Sequence, residues 1–417
     1  MRGIIGSWLV AGDGSPALAR GGVVLDAVER VIAVGDAPQL RSAYPALAFS
    51  ELSAVLTPGL VNAHTHLELS GLRGHVPGGK GFVPWLDALL SARTRIHPEL
   101  EQDAIDGAIS ELLSAGVMGL GDVANHLGTV PALAALPLAG CVFHEVLGLR
   151  KDTGAVTLGL AVQEREAFGA WPVQLRYALA PHTPYTLHPE ILQQILAKVR
   201  ARAGRTSLHL AEHAAERAFL ETGGGPFAAW LDGRAPGGLD WHPPGSGSIA
   251  YAARLGALAP DVVAVHLTDA RPAELAQLAA AQAPVVLCPR SNLHIELKLP
   301  PLLDILSAGI RPGLGTDSLA SNASLDPLAE ARALSQRYPS VPSASLLAMA
   351  TGWGAEVLGL GHVLGRLRAG LFPGVLAFEH GAQPPADPAR YVVQTEHAVR
   401  RIVSRPDYPS LPAEVFA

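Results

Sequence analysis

The sequence predicts an α/β protein, a (β/α)8 TIM-type barrel with a small β-sandwich domain formed by both chain ends. After about residue 58, apolar strand candidates alternate with helical stretches, and short β-like pieces occur before and after this region. A chain of 417 residues is too long for one ordinary core but suits a large barrel with an appended domain. We therefore predict a barrel over residues 58–368 and a sandwich over residues 1–57 and 369–417.

The two chain ends carry short β-like pieces bounded by turn residues. Near the amino end these pieces are residues 22–26 and 30–35, and near the carboxyl end they are residues 374–378 and 390–394. Neither end looks like a complete domain. The simplest account is that the two ends together build the sandwich.

Between the ends, eight strand candidates alternate with helical stretches rich in Ala and Leu. The strand candidates are residues 58–64, 116–123, 139–148, 173–181, 206–211, 261–267, 284–289 and 310–316. The helical stretches include residues 82–95, 100–115, 190–203 and 273–280. Pro272 precedes the last of these, as is common at the start of a helix. Such alternation indicates parallel β-α units and favours a closed barrel.

Residues 223–248 interrupt this alternation with many Gly and Pro residues. The segment is too long and irregular for a simple loop. It either covers the mouth of the barrel as a lid or forms a passive surface excursion, and its composition suits both.

Composition excludes several classes of partner. The chain is 49% hydrophobic and 16% charged, and its net charge of −6 includes no basic block, so we expect no nucleic acid as partner. No apolar run reaches the length of a membrane span, and the first residues do not resemble a cleaved signal. Cys141 and Cys288 lie in apolar runs typical of buried free thiols. We expect a cytoplasmic enzyme with a small-molecule substrate and no membrane partner, plausibly a homodimer.

The most informative motif is TPGLVNAHTHLE at residues 57–68, in which an apolar strand carries two histidines. Residues two apart in a strand point to the same side, so His64 and His66 can reach one metal ion. The pair alone is weak evidence, because a satisfied surface or core pair has the same spacing.

Further polar residues follow other strands of the predicted barrel. They are His182, His209, His266 and Asp317. The carboxyl ends of barrel strands carry the chemistry in such folds. Taken singly, His209 and His266 would be core histidines and Asp317 a helix cap. Together, histidines and a carboxylate make a set for Zn²⁺ or Fe²⁺ that leaves one position for water.

These motifs resemble the cytosine deaminase and chlorohydrolase-like branch of the amidohydrolase superfamily. The matching segments are residues 58–66, HLAE at 209–212, His266, GTDS at 315–318, APHTPY at 180–185 and CPRSNL at 288–293. The resemblance covers nearly the whole chain and implies a barrel with a split sandwich. It also implies a hydrolase that expels ammonia.

The resemblance assigns roles to particular residues. It implies that His64, His66, His209 and Asp317 hold one metal ion. Glu212 would be the proton shuttle that protonates a ring nitrogen, His266 would orient the hydroxide or the tetrahedral centre, and His182 would contact substrate. Asp317 would also take the proton from the attacking water. The alternative for Glu212 is a solvated carboxylate at a helix start.

The lysine content favours a single metal ion. Binuclear relatives bridge two ions with a carboxylated lysine from the fourth strand. The chain has four lysines, Lys80, Lys151, Lys198 and Lys298, and none lies between residues 173 and 181. The ion would be Zn²⁺, with Fe²⁺ the alternative.

The substrate is indicated by resemblance alone. Residues 62–70 resemble a subgroup that deaminates aminodeoxyfutalosine, an adenine nucleoside bearing a benzoate, on the futalosine route to menaquinone. The chain departs from the commonest pattern of the branch at Glu68 and Arg290, which would bear on substrate choice. Glu68 would bind ribose or an adenine nitrogen, or rest at a helix start.

A substrate carboxylate calls for a cation at the barrel mouth. Arg290 is the first candidate, followed by Arg150 and Arg73, although each also fits an ordinary surface arginine. Ser291 and Asn292, beside Arg290, are further substrate-binding candidates. Other possible activities are a deaminase of adenosine, S-adenosylhomocysteine or guanine, a chlorohydrolase or cyclic amide hydrolase, and a non-catalytic barrel scaffold.

Overall fold

A computed structural model of the chain describes residues 1–95, 98–232, 234, 238–395 and 400–416. The strands are β1 (Arg2–Leu9), β2 (Leu18–Ala19), β3 (Gly21–Leu25), β4 (Val31–Asp36), β5 (Phe49–Thr57), β6 (Leu60–Thr65), β7 (Val117–Ala124), β8 (Ala139–Val146), β9 (Leu175–Pro181), β10 (Thr206–Leu210), β11 (Val262–His266), β12 (Val285–Leu287), β13 (Gly313–Leu314), β14 (Val375–Glu379) and β15 (Arg400–Ser404).

The α-helices are α1 (Ala37–Ala43), α2 (Phe82–Arg93), α3 (Pro98–Ser114), α4 (Val130–Ala134), α5 (Lys151–Ala167), α6 (Pro189–Arg200), α7 (Ala214–Thr222), α8 (Pro226–Asp232), α9 (Ser248–Arg254), α10 (Pro272–Ala280), α11 (Pro289–Glu296), α12 (Leu302–Ser307), α13 (Pro327–Arg337), α14 (Ser343–Met349), α15 (Gly352–Val357) and α16 (Pro388–Gln394). Short 3-10 helices cover Leu67–Leu72, Leu127–Thr129, Tyr408–Ser410 and Ala413–Val415.

The eight strands from β6 to β13 form two parallel sheets of four, in the orders β6-β7-β8-β9 and β10-β11-β12-β13. Each overlaps a predicted strand segment, with β6 and β7 ending one residue beyond theirs, so all eight strand predictions are confirmed. Their side chains are buried along nearly their whole length. Parallel strands covered by helices on their outer side lose water on both faces, which is why these segments are nearly continuous runs of apolar residues.

The two sheets approach each other at both edges. The His209 amide of β10 donates a hydrogen bond to the His182 carbonyl just after β9, at 3.0 Å. On the other side the Asp317 amide donates to the His64 carbonyl of β6 at 3.1 Å, and Thr65 and Asp317 form a parallel bridge. These contacts gather the carboxyl ends of strands that are far apart in sequence.

Strands from both chain ends share one seven-stranded sheet. Its order is β15-β14-β5-β1-β3-β4, with β2 paired to β1. Strand β1 runs antiparallel to β3 and parallel to β5, whereas β14 is antiparallel to both of its neighbours. The amino-terminal and carboxyl-terminal β-like pieces therefore do build one β structure.

The prediction of a β piece at residues 390–394 is wrong, because this segment belongs to helix α16. The Asp387 side chain caps the helix by accepting from the Arg390 amide at 2.9 Å, and Pro388 occupies its first turn. Ala389, Val392 and Val393 are buried at helical spacing. The paired strand at this end is β15, which begins six residues further on.

The predicted helices at 82–95, 100–115, 190–203 and 273–280 correspond to α2, α3, α6 and α10. Within the interruption at 223–248, residues 233 and 235–237 lie outside the described residues. The rest includes α8, whose Phe227 packs in an aromatic cluster with Tyr185 and Phe219. Trp230 of α8 donates to Asp87 of α2 at 2.8 Å, so the described part of this segment braces α2.

Among the described helices, none combines the length and the apolar character needed to cross a membrane. Cys141 and Cys288 are both buried free thiols, as predicted.

Candidate metal centre and active site

The four predicted metal ligands lie together where the two parallel sheets meet. His64 lies in β6 and His66 directly follows it, while His209 lies in β10 and Asp317 follows β13. His66 Nε2 is 3.4 Å from both His209 Nε2 and Asp317 Oδ1. His64 Nε2 is 3.7 Å from Asp317 Oδ1. All four side chains are buried.

The ring nitrogens of this cluster fit a bound cation. His209 Nδ1 lies 2.9 Å from the His182 carbonyl, to which it can only donate, so Nε2 presents its lone pair. That lone pair faces His66 Nε2, and both ring nitrogens of His64 are buried without a hydrogen-bond partner among the described residues. Buried polar atoms are normally satisfied, and a divalent ion between these nitrogens would satisfy them.

The electrostatics of the cluster suit the same group. Burial lowers the pKa of His209 to about 4 and that of His66 well below its usual value, so both rings are neutral at pH 7. Burial would raise the pKa of Asp317, but the neighbouring His64, His66 and His266 bring it well below its ordinary value. Neutral imidazoles and an ionised carboxylate are the protonation states that metal binding requires.

Ser291 and Asn292, predicted as substrate contacts, lie outside the cavity lining and contact the side chains of the ligand cluster and of His266. Ser291 Oγ donates to Asp317 Oδ2 at 2.6 Å, and Ser321 Oγ donates to the same oxygen at 3.0 Å. Asn292 Nδ2 lies 3.2 Å from His266 Nδ1. Both side chains follow β12 and point into the protein, so they hold Asp317 and His266 in place.

Glu212 is held beside the ligand cluster by its own backbone. The Glu216 carboxylate accepts from the Ala211 amide at 3.0 Å and from the Glu212 amide at 2.8 Å. Glu212 Oε1 then lies 3.8 Å from His266 Nε2. Burial, followed by the negative charge of Asp317, raises the pKa of Glu212 well above its usual value, which favours the protonated form of this carboxyl.

The backbone reverses sharply where these strands end. Ala211, His266 and Asp317 have φ values of 49°, 81° and 57°, in the left-handed region that residues with a Cβ rarely adopt. Such conformations cost about 1–3 kcal/mol each and persist where surrounding contacts fix them. All three lie at the candidate site, which points to a constraint imposed by the site.

A cavity of about 140 Å³ opens beside the cluster. Its polar wall consists of His66, Glu68, Arg93, Asn125, Glu145, His182, His209, Glu212, His266, Asp317 and Ser318. Its apolar wall consists of Leu69, Phe82, Trp85, Leu86, Leu89, Leu90 and Leu147. His182 lies in this lining as predicted, with its Nδ1 2.6 Å from Thr186 Oγ1, and burial lowers the pKa of His182 to about 4.

Glu68 also lines the cavity and is held by several donors. Its side chain is only 2% exposed. It accepts from the Asn125 amide at 2.9 Å and from Arg93 Nη2 at 3.3 Å, and His126 Nε2 lies 3.4 Å away. Burial raises the pKa of Glu68 above its usual value, while Arg93 opposes this shift.

The arginines predicted to meet a substrate carboxylate do not line the cavity. Arg290 Nη1 binds Ser324 Oγ at 3.0 Å, and its amide donates to Glu330. Arg73 pairs with Glu111, and Arg150 contacts the Gly238 carbonyl at 3.2 Å. The arginine of the lining is Arg93, at the end of α2. Sequence reasoning missed it because α2 looked like an ordinary barrel helix.

A larger cavity, of about 710 Å³, lies near the amino ends of β9, β10 and β11. Two of its three arginines are engaged with backbone carbonyls: Arg176 donates to Gly359 and Phe416, and Arg205 donates to Glu356 and Val357. Both candidate metal-ligand groups of the described residues lie at the opposite ends of the strands. The smaller cavity is therefore the candidate active site.

The chain belongs to the amidohydrolase family, whose pattern matches residues 55–384. It is 30% identical over 353 residues to an aminodeoxyfutalosine deaminase of Deinococcus radiodurans, covering 81% of each chain. It is 29% identical over 329 residues to a 5-methylthioadenosine/S-adenosylhomocysteine deaminase of Moorella thermoacetica, covering 76% of this chain and 71% of that one. The crystal structure of Helicobacter pylori aminofutalosine deaminase in complex with methylthio-coformycin superposes with a TM-score of 0.85 at 26% identity, covering 96% of this chain and 97% of that chain.

Proposed function

We propose that this protein is a metal-dependent hydrolytic deaminase of an aminated purine nucleoside. Its preferred substrate is 6-amino-6-deoxyfutalosine, which it converts to futalosine and ammonia for menaquinone biosynthesis. The observation that carries the proposal is the buried cluster of His64, His66, His209 and Asp317 with Glu212 beside it. The similarity to an aminodeoxyfutalosine deaminase and to a 5-methylthioadenosine/S-adenosylhomocysteine deaminase supports deamination of an adenine nucleoside.

The proposed cofactor is one divalent ion, Zn²⁺ or alternatively Fe²⁺, held by the three histidines and Asp317. Imidazole nitrogens and a carboxylate suit both ions. When bound, such an ion lowers the pKa of a water molecule and so supplies hydroxide near neutral pH.

In this proposal the side chains around the ion manage the protons. Asp317 accepts the proton that the attacking water loses. Glu212, whose protonated form is favoured by burial, donates to a ring nitrogen of the purine and makes the neighbouring carbon electrophilic. His266, fixed by Asn292, orients the attacking oxygen. The oxygen adds to the amino-bearing carbon, the C–N bond breaks, and ammonia leaves after taking up a proton.

Replacement of Glu212 tests this assignment. We expect Glu212→Gln to keep its metal and lose about 10²-fold or more in turnover, because general acid/base catalysis contributes on this scale. Metal content and kcat are measured on the same preparations. Glu190→Gln is the matched control, since Glu190 is an exposed carboxylate of α6. Near wild-type turnover of the Glu212 variant would exclude it as the shuttle.

The substrate is tested by comparing kcat/KM for aminodeoxyfutalosine, adenosine, S-adenosylhomocysteine and guanine. A clear preference for the first supports the full proposal. Preference for another compound leaves only the broader deaminase function. Release of chloride instead of ammonia would indicate a chlorohydrolase, and release of a ring-opened acid would indicate a cyclic amide hydrolase. Absence of both metal and turnover would favour a non-catalytic barrel scaffold.

We also propose that the eight strands β6 to β13 close into one (β/α)8 barrel over residues 58–368, with residues 1–57 and 369–417 as a separate sandwich domain. The hydrogen bonds from His209 to His182 and from Asp317 to His64 support closure at the two sheet edges. A cytoplasmic location and a homodimer remain part of this proposal.

A further inference from the structure

Helix α2 gives the cavity an apolar slot with a cation at one end. Leu86, Leu89 and Leu90 line the cavity, and Arg93 follows them on the same helix. Residues three, four and seven apart share one face of a helix, so Leu86, Leu89 and Arg93 form one stripe. The ligand cluster and Glu212 line the same cavity.

The Arg93 guanidinium is fixed in position but still accessible. Its Nη2 lies 3.3 Å from Glu68 Oε1, and its Nη1 lies 3.2 Å from Asn125 Oδ1. These contacts use two of the five N–H donors of a guanidinium. The Arg93 side chain is 45% exposed, whereas that of Glu68 is 2% exposed. A ligand in the cavity can therefore reach the Arg93 guanidinium, while the buried Glu68 carboxylate holds that guanidinium in place.

The buried Glu68 carboxylate does not depend on Arg93 alone. It also accepts from the Asn125 amide, and His126 Nε2 lies 3.4 Å from it. Arg93 can consequently share its positive charge with a second carboxylate supplied by a ligand. An aromatic carboxylate matches this geometry, because its ring suits the leucine stripe and its charge suits a planar guanidinium.

We propose that Arg93 is the specificity-determining residue that binds the carboxylate of the substrate, positioned for this by Glu68 and Asn125. The inference rests on the proposed function and names the group that recognises the benzoate end of the nucleoside. It replaces Arg290, Arg150 and Arg73, which lie outside the cavity lining.

The test compares two substrates that differ only in charge, aminodeoxyfutalosine and its carboxamide analogue. We expect Arg93→Gln to lower kcat/KM for the carboxylate on the order of 10²-fold, mainly through KM, since hydrogen bonds between charged groups are stronger than those between neutral groups. The carboxamide should change less than about threefold, since its neutral group lacks the attraction to a guanidinium. Arg93→Lys keeps the charge and should fall between wild type and Arg93→Gln.

Arg95→Gln is the matched control. Arg95 lies two residues beyond Arg93 and donates to Ser91 Oγ at 3.0 Å. It does not line the cavity, so both substrates should be turned over as by the wild type.

The outcomes separate the inference from the function on which it rests. If the wild type releases no ammonia from aminodeoxyfutalosine, the proposed function fails and the inference with it. If the wild type deaminates it but Arg93→Gln lowers both substrates equally, Arg93 has only a structural role and the inference is overturned. If Arg93→Gln fails to fold, Arg93→Lys, Arg150→Gln and Arg290→Gln are compared by their preference for the carboxylate over the carboxamide. The inference is overturned if Arg93→Lys keeps the wild-type preference while Arg150→Gln or Arg290→Gln loses it.

Discussion

Removing the Glu216 side chain should both destabilise the protein and impair turnover. Its two carboxylate oxygens accept from the Ala211 and Glu212 amides, at 3.0 and 2.8 Å, and the side chain is fully buried. Glu216→Ala leaves both amides without an acceptor. A buried donor without a partner costs about 1–3 kcal/mol, so the free energy of unfolding should fall by about 2–6 kcal/mol.

The same change should loosen the carboxyl group of Glu212, the proposed proton shuttle. Ala211 has a left-handed φ of 49°, and the two hydrogen bonds fix this turn and the direction of Glu212. We therefore expect kcat to fall by about 10-fold or more, because misplacing a catalytic group by about 1 Å has effects of this size or larger.

Urea denaturation and kcat, measured with metal content, provide the assay. Glu216→Gln retains one side-chain oxygen, so it should lose about half as much stability as Glu216→Ala. Glu190→Ala, at an exposed position of α6, should leave both quantities unchanged. If Glu216→Ala unfolds at the wild-type urea concentration and keeps wild-type kcat, then the reasoning from the two amides is wrong.

Two further predictions concern the surroundings of the ligands. Ser291→Ala removes the 2.6 Å hydrogen bond to Asp317 Oδ2 and should weaken metal binding about 10- to 100-fold, measured by competition with a chelator. Ser321→Ala removes a longer hydrogen bond to the same oxygen, of 3.0 Å, and should weaken metal binding less. Equal retention of metal in the two variants would contradict this prediction. Burial raises the pKa of Asp122 to about 7, so between about pH 4 and 7 the folded state holds a proton that the unfolded state releases. The free energy of unfolding should therefore fall as pH rises through this range, by up to about 4 kcal/mol. Asp122→Asn should remove this contribution, which is measured as the difference between the free energies of unfolding at pH 5 and pH 8; an unchanged difference would refute it.

The strands and the ligand cluster were predictable because each rests on a short-range pattern. A parallel strand covered on both faces must be a continuous apolar run, and its last residues must lie at the catalytic end. His64, His66, His209 and Asp317 satisfy both conditions in the sequence. The ends of predicted strands therefore indicate which side chains lie together, even when they are as far apart in the sequence as His64 and Asp317.

Other parts depend on contacts that no local pattern encodes. Val392 and Val393 favour a strand by propensity, and the signal that overrides them, Asp387 before Pro388, lies upstream of the pair. Arg290 follows a predicted barrel strand and Arg93 lies in a predicted helix, so the sequence favours Arg290, and only the packing of α2 against the cavity brings Arg93 into the lining. Likewise, Ser291 and Asn292 reach Asp317 and His266 from the first turn of helix α11, a placement that the sequence alone does not show.

The pairing of Thr65 with Asp317 has a consequence for how the protein is made. His64 and His66 are synthesised early, but Asp317 follows β13, the last strand of the two parallel sheets. The Asp317 amide also donates the hydrogen bond to the His64 carbonyl. Closing a loop of this length is entropically costly and gives no return until it is complete. A nascent chain that ends before Asp317 therefore lacks one of the four proposed metal ligands. Acquisition of tightly bound metal would mark the moment at which the first and last strands of the two sheets have joined.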